Sequence, residues 1–270
     1  MNAGAIDQLS PLAADLRSQN PDRYLATLFA PPARRNALIA LYAFDHEIAR
    51  AQWTLREPMA GLIRLQWWQD VIDGFSEHRP VAHPVVRELQ RAVTEDGLNN
   101  HHLLRVLDAR RRPLEDDEPP TLEDFEQHLH DIGGSIFCAA AELLGGSQPD
   151  VQAILNRAGL VSAALEHCRF LQDQAPGSNV WLPADWYIDE KGDAGTVSAT
   201  VLKRRLADRS LKELAEARRQ AGSIPRAVLP ALFPITLAAS RLRDPIGSGQ
   251  PEPLPMAVPR LMWCWLRRRF

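Results

Sequence analysis

Metal or thiol chemistry in this chain would have to come from its eight histidines and three cysteines. Imidazole and thiolate ligate zinc-like ions only where several of them converge. His101 and His102 are adjacent and His128 and His130 are two apart, so on a helix each pair points apart. The expectation is solvated, helix-face histidines and no metal site built on them. His167 beside Cys168 would suit a thiol site, but a small cysteine in so apolar a helix reads as core. No GxGxxG, Walker A, HExxH or GxSxG occurs, which removes the motifs that cradle phosphates or present a serine. The charge runs "ARRRPLEDDEPP" (109–120) and "KRRLADRS" (203–210) read as solvated surface. The C-terminal "RLMWCWLRRRF" sets Trp263 and Trp265 beside Arg267, Arg268 and Arg269. Such a segment can anchor on a membrane surface. The expectation is instead a last helix that buries Trp263 and lets its arginines snorkel to water.

The elements that would position these residues are helical throughout. "PARRNALIALYAFDHEIARAQW" places Leu38, Leu41, Tyr42, Ile48 and Ala49 at helical spacing behind a proline, a favoured first helical residue. "MAGLIRLQWWQDVIDGF" does the same with Leu62, Leu65, Trp68 and Ile72, and "HPVVRELQRAVTEDG" with Val85, Leu89 and Val93. Further helices are expected over "HHLLRVLDARRRPL", "TLEDFEQHLHDIGGSIFCAAAELLGG" with Thr121 as cap, and "DVQAILNRAGLVSAALEHCRFLQ". "SATVLKRRLADRSLKELAEARRQAG" and the proline-broken "IPRAVLPALFPITLAASRLRD" continue the pattern. No segment alternates as a strand. The expected fold is all-α, one domain over 1–270, with 1–20 a polar N-terminal extension and 244–255 a Pro/Gly-rich loop before the last helix.

Bulk composition narrows the functional classes. At 45% hydrophobic and 24% charged residues the chain resembles ordinary soluble domains. A net charge of −3 argues against a nucleic-acid partner. Scattered cysteines without CxxC suggest a reducing compartment. The polar start "MNAGAIDQLSPLAADLRSQNPD" reads as neither signal nor transit peptide. No apolar run reaches the roughly 18–20 residues of a membrane span. Cytoplasmic localisation is expected, with peripheral contact at the inner membrane.

Four stretches in order resemble the squalene/phytoene synthase family. They are "RYLATLFAPPARRNALIALYAFDHEIAR" (23–50), "RLQWWQDVIDG" (64–74), "HDIGGSIFCAAAELLGG" (130–146) and "GLVSAALEHCRFLQDQAPGSNVWLP" (159–183). The resemblance spans roughly residues 20–240. It implies an isoprenoid-synthase bundle around a central cavity. It also implies head-to-head condensation of farnesyl or geranylgeranyl diphosphate, with Mg²⁺ on aspartates of two facing helices. Magnesium would stabilise the leaving diphosphate and needs hard oxygen ligands.

Both of those acidic motifs are broken. By the resemblance, the first acidic motif falls on Ala49, Arg50 and Trp53, and the second on Glu166, Arg169, Phe170, Asp173 and Gln174, before "WLP" at Trp181–Pro183. Arg50 is electrostatically wrong beside a Mg²⁺ site. Asp45 and Glu166 lie one helical turn, about 5.4 Å, before Ala49 and Phe170. On antiparallel helices those shifts run in opposite directions, so the two acids are not expected to converge on one metal cluster. A non-catalytic branch of the family, tied to mitochondrial complex I assembly, also lacks the motifs and resembles "ALYAFDHEIA" and "RLQWW" here.

The resemblance therefore implies a binding or assembly protein with no cofactor and a protein partner in respiratory complex assembly. Tyr42, Ala49, Trp53, Phe170, Gln174 and Trp181 would line the former cavity. The alternative is a divergent Mg²⁺-dependent prenyltransferase using Asp45, Glu166, Arg169 and Asp173. A third is a module that takes a prenyl, lipid or quinone ligand.

Overall fold

Proline sets the start of one helix after another in the computed structural model, which describes residues 10–53, 58–77, 81–115, 120–173, 181–187, 197–243, 254–267 and 270. In chain order these are α1 (Pro11–Gln19), α2 (Pro21–Leu28), α3 (Pro32–Trp53), α4 (Pro58–Asp73), α5 (Pro84–Thr94) and α6 (Asn100–Glu115). There follow α7 (Leu122–Leu129), α8 (Ser135–Leu143), α9 (Pro149–Asp173), α10 (Ala199–Arg219), α11 (Leu229–Leu242) and α12 (Leu254–Arg267). Short side chains close the free amides at several starts. Ser10 accepts from the Ala13 amide at 3.2 Å and Thr121 from the Asp124 amide at 3.1 Å. No strand occurs among the described residues, and the fold is the all-α bundle expected.

Two long helices organise the bundle. α3 carries Leu38, Leu41, Tyr42, Phe44 and Ile48, all almost fully buried. A helix apolar on so many sides belongs in the interior. α4, α5, α6 and α8 pack around it, and α9 is held by α8, α10 and α11. α8 touches both long helices, and its residues Ser135 to Ala141 are all buried.

The segment expected as one helix from Thr121 to Leu144 is interrupted. α7 passes into α8 through a π-helical turn, His130–Gly134, a distortion common at sites of close packing or function. Its glycines allow α9 to approach. A methyl on Gly133 would lie 2.2 Å from the Gly159 carbonyl oxygen, and one on Gly134 would lie 2.0 Å from Asn156 Oδ1. Asp131, on the same turn, is buried and accepts from Arg105 at 2.8 Å, Gln127 at 2.8 Å and Arg112 at 3.1 Å.

Three expectations need correction. Residues 11–19 are not a polar extension: they form α1, because Ser10 and Pro11 start a helix that buries Ala13 and Leu16. Of the loop expected over 244–255, residues 244–253 lie outside the described residues, and α12 already begins at Leu254. Trp263 is not buried: it is 59% exposed, because α12 seats Ala257 and Leu261 on the bundle and turns Trp263 outward.

Gly133→Ala should lower unfolding free energy by about 1–3 kcal/mol, since its methyl meets backbone that cannot rotate away. Gly222→Ala, where nothing lies within 4 Å, should change it by less than about 0.5 kcal/mol. Urea titrations of both variants check the contrast.

Candidate functional site

The inward face of α6 is set by Leu103, Val106 and Leu107. Arg110 lies seven, four and three residues further on, so its side chain enters the core with theirs. It is 1% exposed. Arg110 Nη1 donates to Glu166 Oε1 at 2.7 Å and Nη2 to Glu166 Oε2 at 3.1 Å. Nη2 also donates to Asp45 Oδ1 at 3.0 Å, and Nη1 to Gln52 Oε1 at 3.2 Å. One guanidinium thus joins α3, through Asp45 and Gln52, to α9, through Glu166. Arg23 of α2 donates to the other Asp45 oxygen and stacks over the Tyr42 ring, 5.2 Å from its centre. Burial works against the Arg110 cation, but Glu166 and then Asp45 more than reverse this and raise its pKa. Burial alone would make such charges costly; paired and hydrogen-bonded, they are held in place.

Beside this bridge lies a cavity of about 150 Å³. Its wall carries Asp22 and Arg23 from α2, Asp45, His46 and Ala49 from α3, Glu166 and Arg169 from α9, and Arg241 from α11. Arg241 donates to Asp22, tying α11 to α2. With Arg110 behind the wall, four guanidinium groups face three carboxylates, a formal excess of one positive charge. Arg169 feels that excess: burial, then Arg241, pushes its pKa down. His46 is lowered by burial and then by Arg23.

Magnesium does not fit these residues. The position between Asp45 and Glu166 holds a guanidinium, and the facing carboxylate oxygens already accept its hydrogen bonds. No group of three His, Cys, Asp or Glu side chains among the described residues converges as metal ligands would.

Asp45 and Glu166, not expected to converge on one metal cluster, meet on the Arg110 guanidinium, which reaches both from a third helix. Arg169 and Ala49 lie on the cavity wall. Tyr42 is buried under Arg23, where burial pushes its phenol up. Phe170 packs against the core, and Trp181 packs on His128 with ring centres 4.9 Å apart. The side chains of Trp53 and Asp173, and Gln174 altogether, lie outside the described residues.

Arg110 was missed because it opens a charge run that reads as solvated. The neighbours behave differently: Arg111 donates to exposed Gln66 at 3.0 Å, and Arg112 pairs with Asp131. The helical spacing from Leu103 was the signal that separates them. Lys203, in the second run, is also buried.

His128 is no solvated histidine either. It is 0% exposed, and neither ring nitrogen has a hydrogen-bond partner among the described residues. Phe125, His167 and Trp181 enclose it. Burial, then His167 and Arg110, holds its pKa well below the ordinary value. His167 Nδ1 donates to the Ala163 carbonyl oxygen at 2.9 Å, and its pKa is likewise lowered, mainly by burial. Cys168 is a core thiol pushed up to about 12 by burial, the opposite of an activated nucleophile.

Comparison with known proteins places these features in context. The sequence matches the squalene/phytoene synthase family over residues 16–245. It is 25% identical over 237 residues to the Mus musculus protein "NADH dehydrogenase (ubiquinone) complex I, assembly factor 6", covering 85% of this chain and 70% of that one. For the Homo sapiens protein of that name, identity is 25% over 170 residues, 63% of this chain and 51% of the relative. The chain thus spans about half the length of that human relative. A presqualene diphosphate synthase of Sinorhizobium fredii is 21% identical, with 77% of each chain covered. Among solved structures, a dehydrosqualene synthase complex superposes with a TM-score of 0.75 at 15% identity, covering 95% of both chains.

Arg110→Met should destabilise the fold by about 2–4 kcal/mol, because it strips Glu166 of its paired donor and leaves buried Asp45 with Arg23 alone; denaturant unfolding measures it. The buried histidines set a second expectation. Unfolded histidine titrates near about 6.5, and His128 and His167 titrate lower when folded. Below that pH the unfolded chain binds protons that the folded chain does not, so stability is full above it and falls on acidification. His128→Phe should make that acid-side loss shallower in urea titrations run across the range.

Proposed function

This chain belongs to the squalene/phytoene synthase family, and from that premise we propose that it is a non-catalytic member serving the assembly of respiratory complex I. The observation that carries the proposal is the Arg110 guanidinium seated between Asp45 and Glu166. Release of a prenyl diphosphate needs a cation that can share its oxygens with the leaving group. The guanidinium cannot take that part here, since the donors aimed at Asp45 and Glu166 are already committed. Support for the assembly role comes from the names of the relatives: proteins of mouse and human similar to this chain are called complex I assembly factors. The proposal needs no cofactor; Mg²⁺ would enter only if the chain were catalytic. It gives the protein a partner in the complex I pathway and a cytoplasmic location at the inner membrane.

Prenyl transfer is the competing reading, favoured by similarity to a presqualene diphosphate synthase and by the excess positive charge at the cavity. Against it, and against a lipid or quinone module, stands the cavity's size. About 150 Å³ is well below the roughly 300–1,000 Å³ of ligand pockets, and its wall is largely polar.

Deletion of the coding gene should lower NADH:quinone oxidoreductase activity in membranes of the source organism. Glu166→Gln, which keeps a hydrogen bond to Arg110, should restore it as well as the natural chain does. Purified protein should release no diphosphate from farnesyl diphosphate with Mg²⁺. Magnesium-dependent turnover abolished by Glu166→Gln or Asp45→Asn would establish prenyl transfer and reject the assembly reading.

A further inference from the structure

α12 has two apolar faces, and the bundle uses one of them. Ala257 and Leu261 are buried against it. At 100° per residue, Met256, Pro259, Met262, Trp263 and Leu266 fall together on the other side. Met256 and Leu266 are each 64% exposed, Trp263 59% and Met262 51%. A contiguous apolar strip of this kind on a soluble surface marks an interaction site.

Its charge is one-sided. From Leu254 to Phe270 the sequence has four arginines and no acid; Arg268 and Arg269 lie outside the described residues. Arg267 rests over the Trp263 ring, 4.4 Å from its centre. Arg226 stacks at 3.5 Å on Trp265, and Arg218 lies 5.8 Å over Phe270. Arg243 and Arg260 stand close enough to Arg218 to oppose its charge.

The other exposed apolar strip, Met59, Ile63 and Trp67 on α4, differs in this respect. Its polar neighbours are mixed: Arg64 pairs with Glu47 at 2.7 Å, and Gln66 donates to Asp70 at 2.7 Å.

We propose that the outward face of α12 docks on the surface of an anionic lipid bilayer, with the helix axis in the interface plane. The apolar strip enters the headgroup boundary, where Trp is favoured, and the flanking arginines meet lipid phosphates. A second copy of the chain is a poorer occupant, since pairing would set arginine against arginine. No described helix, α12 included, is long and apolar enough to cross a membrane. The inference stands apart from the assembly role, because it is read on purified protein and lipid.

Flotation of the full chain with vesicles of phosphatidylcholine, or of phosphatidylcholine mixed with phosphatidylglycerol, tests it. Binding should be about tenfold tighter to the mixed vesicles and should weaken as salt screens the charges. The double variant Trp263→Ser, Leu266→Ser should lose about tenfold in binding. Ile63→Ser on α4, where Ile63 is 64% exposed, should bind as the natural chain does. Circular dichroism melts should match for all, since each substituted residue is solvent-facing. Absence of binding to mixed vesicles, or equal binding by the double variant, overturns the proposal. So does a dimer in sedimentation velocity that the double variant dissociates, which would assign the face to a second copy.

Discussion

Arg110 carries a full positive charge into an interior where almost none of it meets water, and the arrangement around it follows from that fact. A buried cation must be neutralised and its donors satisfied. Asp45 and Glu166 supply the charge and Gln52 a further acceptor. These partners come from α3 and α9, while the arginine comes from α6. Arg23 then balances the second Asp45 oxygen from α2. Directional hydrogen bonds therefore fix how four helices meet, where apolar packing alone would tolerate sliding.

The close crossing of the π-helical turn with α9 complements this polar joint. Gly133, Gly134 and Gly159 let two backbones touch, two helical turns before Glu166 on the same face of α9. With the helices drawn together, the space left beside Glu166 is small and polar. A site that activates a diphosphate needs the reverse: carboxylates left open toward a metal, and an apolar volume behind them for the chain.

The helices and their starts were legible in the sequence because proline, capping residues and 3.6-residue spacing are local signals. Asp45 and Glu166 were legible as the acids nearest the broken motifs. Their meeting was not, because it depends on a third helix whose side chain spans the gap. Arg110 and His128 were hidden by their neighbours: a run of arginines and a His-Leu-His pattern look solvated, although one member of each continues an apolar face. Trp263 failed differently. α12 is apolar on both sides, and spacing alone cannot say which side the bundle takes.

The choice of guanidinium over an apolar plug also has a physical logic. An apolar side chain in place of Arg110 would leave Glu166 without this paired donor and Asp45 with Arg23 alone, a costly outcome for an interior. Arginine holds both acids in place from a third helix. Its planar fork of donors matches a carboxylate in two places at once, as the paired contacts to Glu166 show. It also has a pKa that its neighbours raise further, so the charge is permanent. A Mg²⁺ site can release and rebind its ion with each turnover, whereas this cation is covalently part of the chain and makes the joint constitutive. A constitutive joint suits the scaffold role proposed above, in which the outer surfaces do the work.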